Sequence, residues 1–184
     1  MSPKKWKTGE PQERGQFRIF RVKEVQGTSP RTGEELSFYL LECNDWVNVI
    51  AFTEGGEVVM IRQYRFGTQQ VELEIPGGII EEGETPEEAA VRELEEETGY
   101  NGGKISYLGS VSPNPAFHTN HCHTVVIQGV KPEGEQALDP GEDLEVELMP
   151  LADIPRLIAD GTVRHSLVMA AFQLLGLAVD ASEE

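Results

Sequence analysis

Apolar and polar residues alternate with a period of two from Gln16, in FRIFRVKEV, and this pattern predicts a half-buried strand. A Pro- and Gly-rich turn over residues 29–35 separates it from a second strand, LSFYLLEC. The two predict a small antiparallel unit. From Trp46 the runs lengthen and become more apolar. WVNVIAFT and VVMIRQYR flank the turn EGGE and predict a hairpin. VELEIPGG is a further extended run, and KISYLGSVS and HTVVIQGV are two more strands around the loop PNPAFHTNHC. A long acidic loop over residues 131–145 leads to a short strand, VELMPL, and a short helix, ADIPRLIADG. The period changes to helical in HSLVMAAFQLLGLAV, which places Leu167, Ala171, Leu174 and Leu175 on one face. Strands alternating with helices in this way predict an α/β fold with a mixed sheet packed between helices. Residues 1–45 read as an N-terminal antiparallel β extension and residues 46–184 as the main domain, with residues 1–15 irregular apart from the solitary aromatic Trp6.

One helical segment carries more than packing information. Nine carboxylates lie between Glu81 and Glu97, in a stretch that opens and closes on glycines. Thr85 is a favourable N-cap, Pro86 suits the first helical position and Glu88 completes a capping box. The helix is expected over Pro86–Thr98, stopped by Gly99, with a buried stripe of Ala90, Val91, Leu94 and Thr98. Glu93, Glu96 and Glu97 then share one face. Like charges at these spacings repel by a few tenths of a kcal/mol per pair, about 0.2–0.5. A cation relieves that repulsion, and an all-oxygen ligand set suits Mg²⁺ or Mn²⁺. Arg92 stands one turn from both Glu88 and Glu96 and can pair with either.

Gly78, Glu84, Arg92, Glu93, Leu94, Glu96, Glu97, Gly99 and Tyr100 fall on every fixed position of a Nudix box. The segment therefore resembles that of the Nudix hydrolases. Tyr100 stands where an aliphatic residue is more usual. The resemblance covers about residues 46–178 and implies the α/β/α sandwich of that family. It also implies that Glu93 and Glu97 bind metal with the Gly77 carbonyl, that Glu96 binds a second ion or sits just outside the shell, and that Glu84 orients the loop.

The RQYR run, with Arg62 and Arg65, is similar to one that precedes the box in the ADP-ribose and nucleotide-sugar branch of the family. Both arginines are candidate substrate contacts, as is Glu74. Pro115 sits where that branch carries a marker proline, but the surrounding Asn-Pro-Ala-Phe departs from the family form, and His118 and His121 follow it. The base that activates water is expected from the acidic loop, with Glu142 first and Asp143 or Glu145 as alternatives. Trp6 and Phe38 fall near the base-stacking positions of homodimeric relatives, which implies a homodimer with an exchanged N-terminal extension.

The expected activity is Mg²⁺- or Mn²⁺-dependent cleavage of ADP-ribose or a related nucleoside diphosphate sugar. The alternatives are hydrolysis of nucleoside triphosphates or dinucleoside polyphosphates, or a non-catalytic nucleotide-sugar-binding regulator. Composition narrows the partners. A net charge of −17 repels nucleic-acid backbones and anionic membranes, so neither is expected to bind. No apolar run reaches the length of a membrane span, and the N-terminus lacks an apolar signal core. Cys43 and Cys122 fit no metal-ligand spacing. A cytoplasmic protein with reduced thiols is the expectation.

Overall fold

The computed structural model describes residues 3–180, and their Cα positions divide into two compact units. One unit comprises residues 3–44 together with Ser112–His121. Its sheet holds four antiparallel strands, β1 (Lys7–Thr8), β2 (Gln12–Gln16), β3 (Arg21–Thr28) and β4 (Glu35–Glu42). β3 is central, with β1 and β2 along one edge and β4 along the other. The stretch from Phe17 to Phe20 is a tight connection, closed by the Phe17 N–H donating to the Phe20 carbonyl at 2.9 Å. Strand structure therefore appears at residues 7–8 and 12–16, where an irregular segment was expected, and the expected strand at Gln16 begins only at Arg21. Gly27 leaves room for a T-shaped pair of rings, Trp6 against Phe38 at 5.3 Å between centroids. A Cβ at that position would meet both rings. Residues 112–121 join this unit by pairing with the end of β4: the Leu41 N–H donates to the Phe117 carbonyl at 2.8 Å and the Thr119 N–H to the Leu41 carbonyl at 3.1 Å.

The other unit holds residues 45–111 and 122–180. Its sheet is mixed. β5 (Trp46–Thr53) runs parallel to β11 (Cys122–Pro132), which pairs antiparallel with β10 (Lys104–Val111) and, near its end, with β9 (Tyr100–Asn101). β6 (Glu57–Arg65) pairs antiparallel with β12 (Leu144–Pro150) and with β7 (Gln70–Glu74). β8 (Gly77–Ile79) pairs with the start of β5. The hairpin expected between β5 and β6 is reduced to one residue pair, Phe52 with Val58. Past that pair the two strands take different partners, and β7 and β8 fill the opening.

Alternation along the central strands feeds two cores. Val47, Val49, Ala51 and Val59 face α1 (Pro86–Thr98) through Ala89, Ala90 and Leu94. Ile50, Val58 and Met60 face the opposite layer, α2 (Ile154–Ala159) and α3 (Ser166–Asp180), through Ile154, Leu157, Val168 and Ala171. This is the α/β/α sandwich. The buried line of α3 is centred on Val168 and Ala171, one residue on from the Leu167 expected at its start. Among the described residues no helix is long and apolar enough to cross a membrane.

Candidate active site

α1 forms where the sequence places its signals. The Thr85 hydroxyl accepts from the Glu88 N–H, the Glu88 carboxylate accepts from the Thr85 N–H, and Pro86 opens the first turn. Gly99 ends the helix at φ 72°, a left-handed conformation that costs glycine nothing. The residues after it complete the cap. The Gly134 N–H donates to the Gly99 carbonyl at 2.9 Å, the Gln136 side chain to the Glu97 carbonyl at 2.7 Å and the Ala137 N–H to the Glu96 carbonyl at 2.8 Å. The last turn's orphan carbonyls are thus satisfied by the acidic loop.

Glu93 and Glu97 point inward and are 8% and 2% exposed. Glu97 accepts a hydrogen bond from the Gly77 N–H at 2.9 Å. The Gly78 Cα lies so close to Glu93 that a Cβ there would overlap the carboxylate, and a Cβ on Gly77 would overlap the Val47 carbonyl oxygen. Both glycines are required by close approach. Glu96 takes a different place. Its side chain is half exposed and lines a shallow groove with Glu88, Arg92 and Glu135. Arg92 joins the acids: it binds Glu84 through two bonds of 2.8 and 2.9 Å, Glu93 at 2.9 Å, Glu96 at 3.1 Å and the Ile79 carbonyl at 3.0 Å. The Glu88 carboxylate is engaged by the capping box, so Arg92 takes Glu96. Glu84 also accepts from the Glu81 N–H, which closes the loop before the helix.

These surroundings set the ionisation. Burial pushes the Glu97 carboxyl up to about 8, with the charges of Glu93 and Glu142 adding to it and the Gly77 N–H and Arg65 opposing. Burial also raises Glu93, against the pull of Arg92. The Arg92 guanidinium, aided by the Glu81 N–H, holds Glu84 down to about 2. Two buried carboxyls that resist ionising beside a glycine turn form a donor set that a hard divalent cation would complete, since the cation supplies the missing counter-charge. Among the described residues no three His, Cys, Asp or Glu side chains are grouped as a ready cage. The residues fit such an ion only if main-chain oxygen and water join Glu93 and Glu97.

A cleft of about 730 Å³ opens beside this turn. Gly77, Gly78, Glu74 and Arg65 line it, with Trp46, Ile79, Cys122 and Leu167 giving an apolar side. Arg65 grips Glu74 through two 2.9 Å bonds, and Glu97 and Glu142 both lie within electrostatic reach of its guanidinium. Glu142 sits in the loop before β12 and accepts from the Asp139 N–H at 3.0 Å.

Arg62 does not belong with this group. It is three residues from Arg65, an odd number, so its side chain leaves the opposite face of β6. There it pairs with Glu147 of β12, with Glu145 also near. The alternative base Glu145 therefore stands with Arg62 and not with Glu142. Trp6, Phe38, Pro115 and His118 all lie in the unit of residues 3–44 and 112–121. Trp6 and Phe38, expected to stack a base between two subunits, touch each other within one chain.

The sequence reading missed Glu72, Arg164 and His165, which also line the cleft. Arg164 and His165 come from the turn between α2 and α3. No local pattern marks them, because their partners on β7 are 92 positions away or nearly so.

The model of the NUDIX domain matches residues 44–172. The chain belongs to the Nudix family. It is 34% identical to an ADP-ribose pyrophosphatase of Bacillus subtilis (strain 168) over 132 residues, 71% of each chain. It is 39% identical to an ADP-sugar pyrophosphatase of Mus musculus over 130 residues, 66% of this chain and 59% of that one. The crystal structure of an ADP compounds hydrolase superposes with a TM-score of 0.86 at 26% identity, covering 99% of this chain and 98% of the other. This Nudix chain therefore has both the box and the sandwich of its relatives.

Proposed function

We propose that this Nudix protein hydrolyses the diphosphate bond of ADP-ribose or a related nucleoside diphosphate sugar, yielding a nucleoside monophosphate and a sugar phosphate. The observation that carries the reading is the pair of buried carboxyls, Glu93 and Glu97, closed against the Gly77–Gly78 turn at the edge of a cleft that also presents Arg65. The names of the relatives give the substrate class.

Glu93, Glu97 and the Gly77 carbonyl would hold Mg²⁺ or Mn²⁺, with Glu96 as the outlying acid. Such an ion, when bound, neutralises phosphate charge and acidifies water. Arg92 keeps Glu84, Glu93 and Glu96 in register. Arg65 donates to a diphosphate oxygen from the cleft wall, and Glu74 holds its guanidinium in the required plane. Glu142, in the loop before β12, takes the proton of the attacking water on a carboxylate oxygen. The hydrolase domain runs over residues 46–184 apart from 112–121, which pair with the extension of residues 1–45, and that extension pairs two copies. Phe17, Ile19 and Tyr39, all exposed, supply apolar surface for that pairing. A homodimer working in a reducing cytoplasm agrees with the two free thiols, Cys43 and Cys122.

A panel of ADP-ribose, nucleotide sugars, nucleoside triphosphates and dinucleoside polyphosphates, incubated with Mg²⁺, tests the proposal. Release of AMP and ribose phosphate from ADP-ribose is the expected result. Selective cleavage of triphosphates, or binding without turnover, overturns it.

A further inference from the structure

The cleft has a second arginine that the chemistry above leaves unused. Arg164 binds Glu72 through Nε at 2.7 Å and Nη2 at 2.7 Å, and Nη2 also reaches the Gln70 side chain. Thr68 donates to the same carboxylate at 2.7 Å. His165 follows, with its Nδ1 3.7 Å from Glu74 Oε2, beyond hydrogen-bond length.

Two features of this arrangement point to a ligand. The first is its layering. The side chains of Glu72 and Glu74 are 5% and 3% exposed, while those of Arg164 and Arg65 are 42% and 43% exposed. Acid lies beneath and N–H donors lie on top, so the wall offers the cleft donors and positive charge. Among the described residues, Nη1 of Arg164 and Nη1 of Arg65 donate to nothing. A surface guanidinium needs no buried carboxylate to keep it soluble. One clamped along its Nε–Nη2 edge is held so that Nη1 faces an anionic acceptor.

The second is position. Glu72 and Glu74 are two residues apart on β7, hence on one face and about 7 Å apart at 3.3 Å per residue. Glu74 is nearer in sequence to the Gly77–Gly78 turn, and Glu72 lies further along the strand. Arg164 is therefore one step past Arg65, away from the carboxyls that would hold the ion. If Arg65 meets the diphosphate, Arg164 meets whatever the substrate carries beyond it.

We propose that Arg164, seated on Glu72, is a second anion-recognition point that takes a phosphate or carboxylate on the distal half of the substrate. The preferred substrates are then nucleoside diphosphate compounds bearing one more negative group than a simple sugar provides. This assignment rests on the cleavage of nucleoside diphosphate sugars proposed above and names the subclass.

Matched pairs differing in one charge test it. UDP-glucuronate against UDP-glucose isolates a carboxylate. ADP-ribose carrying a phosphate on its distal ribose, against ADP-ribose itself, isolates a phosphate. The charged member of at least one pair should show kcat/KM about tenfold higher, mostly through KM, and the pair that does so identifies the group. Arg164→Gln should erase that preference while leaving the neutral member within about twofold. Arg164→Lys should restore part of it, and Arg62→Gln on the opposite face should change nothing. A ratio at or below one for both pairs in the wild type overturns the proposal, as does a preference that survives Arg164→Gln. Should no member be cleaved, the hydrolase reading fails by itself. Calorimetric binding of the same pairs to the metal-free protein then decides the role of Arg164 by the same ratios.

Discussion

The backbone N–H of Gly77 donates to the carboxyl of Glu97 across 2.9 Å, which fastens the acidic helix to the glycine turn twenty residues earlier. Together with the bond from Arg92 to the Ile79 carbonyl, this contact aligns the two elements that carry the candidate metal ligands. It also gives the buried carboxyl a polar partner while the ion is absent.

Glu97→Gln keeps the shape and the hydrogen bond but removes the charge. Turnover with Mg²⁺ should fall by orders of magnitude. Without metal the sign for stability is opposite. A carboxyl raised to about 8 in the fold costs stability as pH rises from its ordinary value near 4.5 through 8. The metal-free Gln variant should therefore melt higher than wild type at pH 9 and about equally at pH 4. Wild-type turnover in this variant would remove Glu97 from the metal site.

The two glycines of the turn should respond differently to alanine. At Gly78 the added methyl meets the Glu93 side chain, which can swing aside. Activity should drop at least tenfold with a small change in melting temperature. At Gly77 it meets the Val47 backbone, which cannot yield, so Gly77→Ala should lose about 1–3 kcal/mol in urea unfolding.

Acid should weaken the fold through two ion pairs. Arg164 holds Glu72 down to about 2, and Arg92 holds Glu84 down to about 2, both from an ordinary value of 4.5. A depressed carboxyl stabilises the fold above its unfolded value, and the gain is lost as pH falls from about 4.5 towards 2. The urea midpoint should decline over that window. Arg92→Met should lower the midpoint at pH 6 and shrink the further decline to pH 2.5. An equal decline in both proteins would contradict the assignment.

Glu142→Gln should reduce turnover about a hundredfold or more while Mg²⁺ affinity, read by calorimetry, stays within about threefold. Unchanged turnover moves the base elsewhere in the loop, with Asp143 next to test.

What the sequence made legible was local. The bounds of α1 and its cap residues follow from short-range signals, and the structure has each of them. The burial of Glu93 and Glu97 apart from Glu96 is instead set by the packing of the helix on the glycine turn. The α/β/α layering followed from the order of runs. What escaped was set by pairing at a distance. Arg62 looked equivalent to Arg65 until strand parity separated them. The β5–β6 hairpin was inferred from a turn, but β8 and β7 take most of the edges that the two strands would have shared. Residues 112–121 read as a loop of the main domain and instead pair with Leu41. Arg164 lies in a turn whose composition says nothing of the carboxylate it clamps.

The three bonds from residues 134–137 to the last turn of α1 bear on how the enzyme would close over its substrate. Only the six residues 138–143 remain between that anchor and the start of β12 at Leu144. A tether this short, fixed at both ends, spans at most about 20 Å when fully drawn out. Glu142 can therefore travel only along a narrow arc, and any closure of this loop is a short lever stroke, not the collapse of the whole acidic segment.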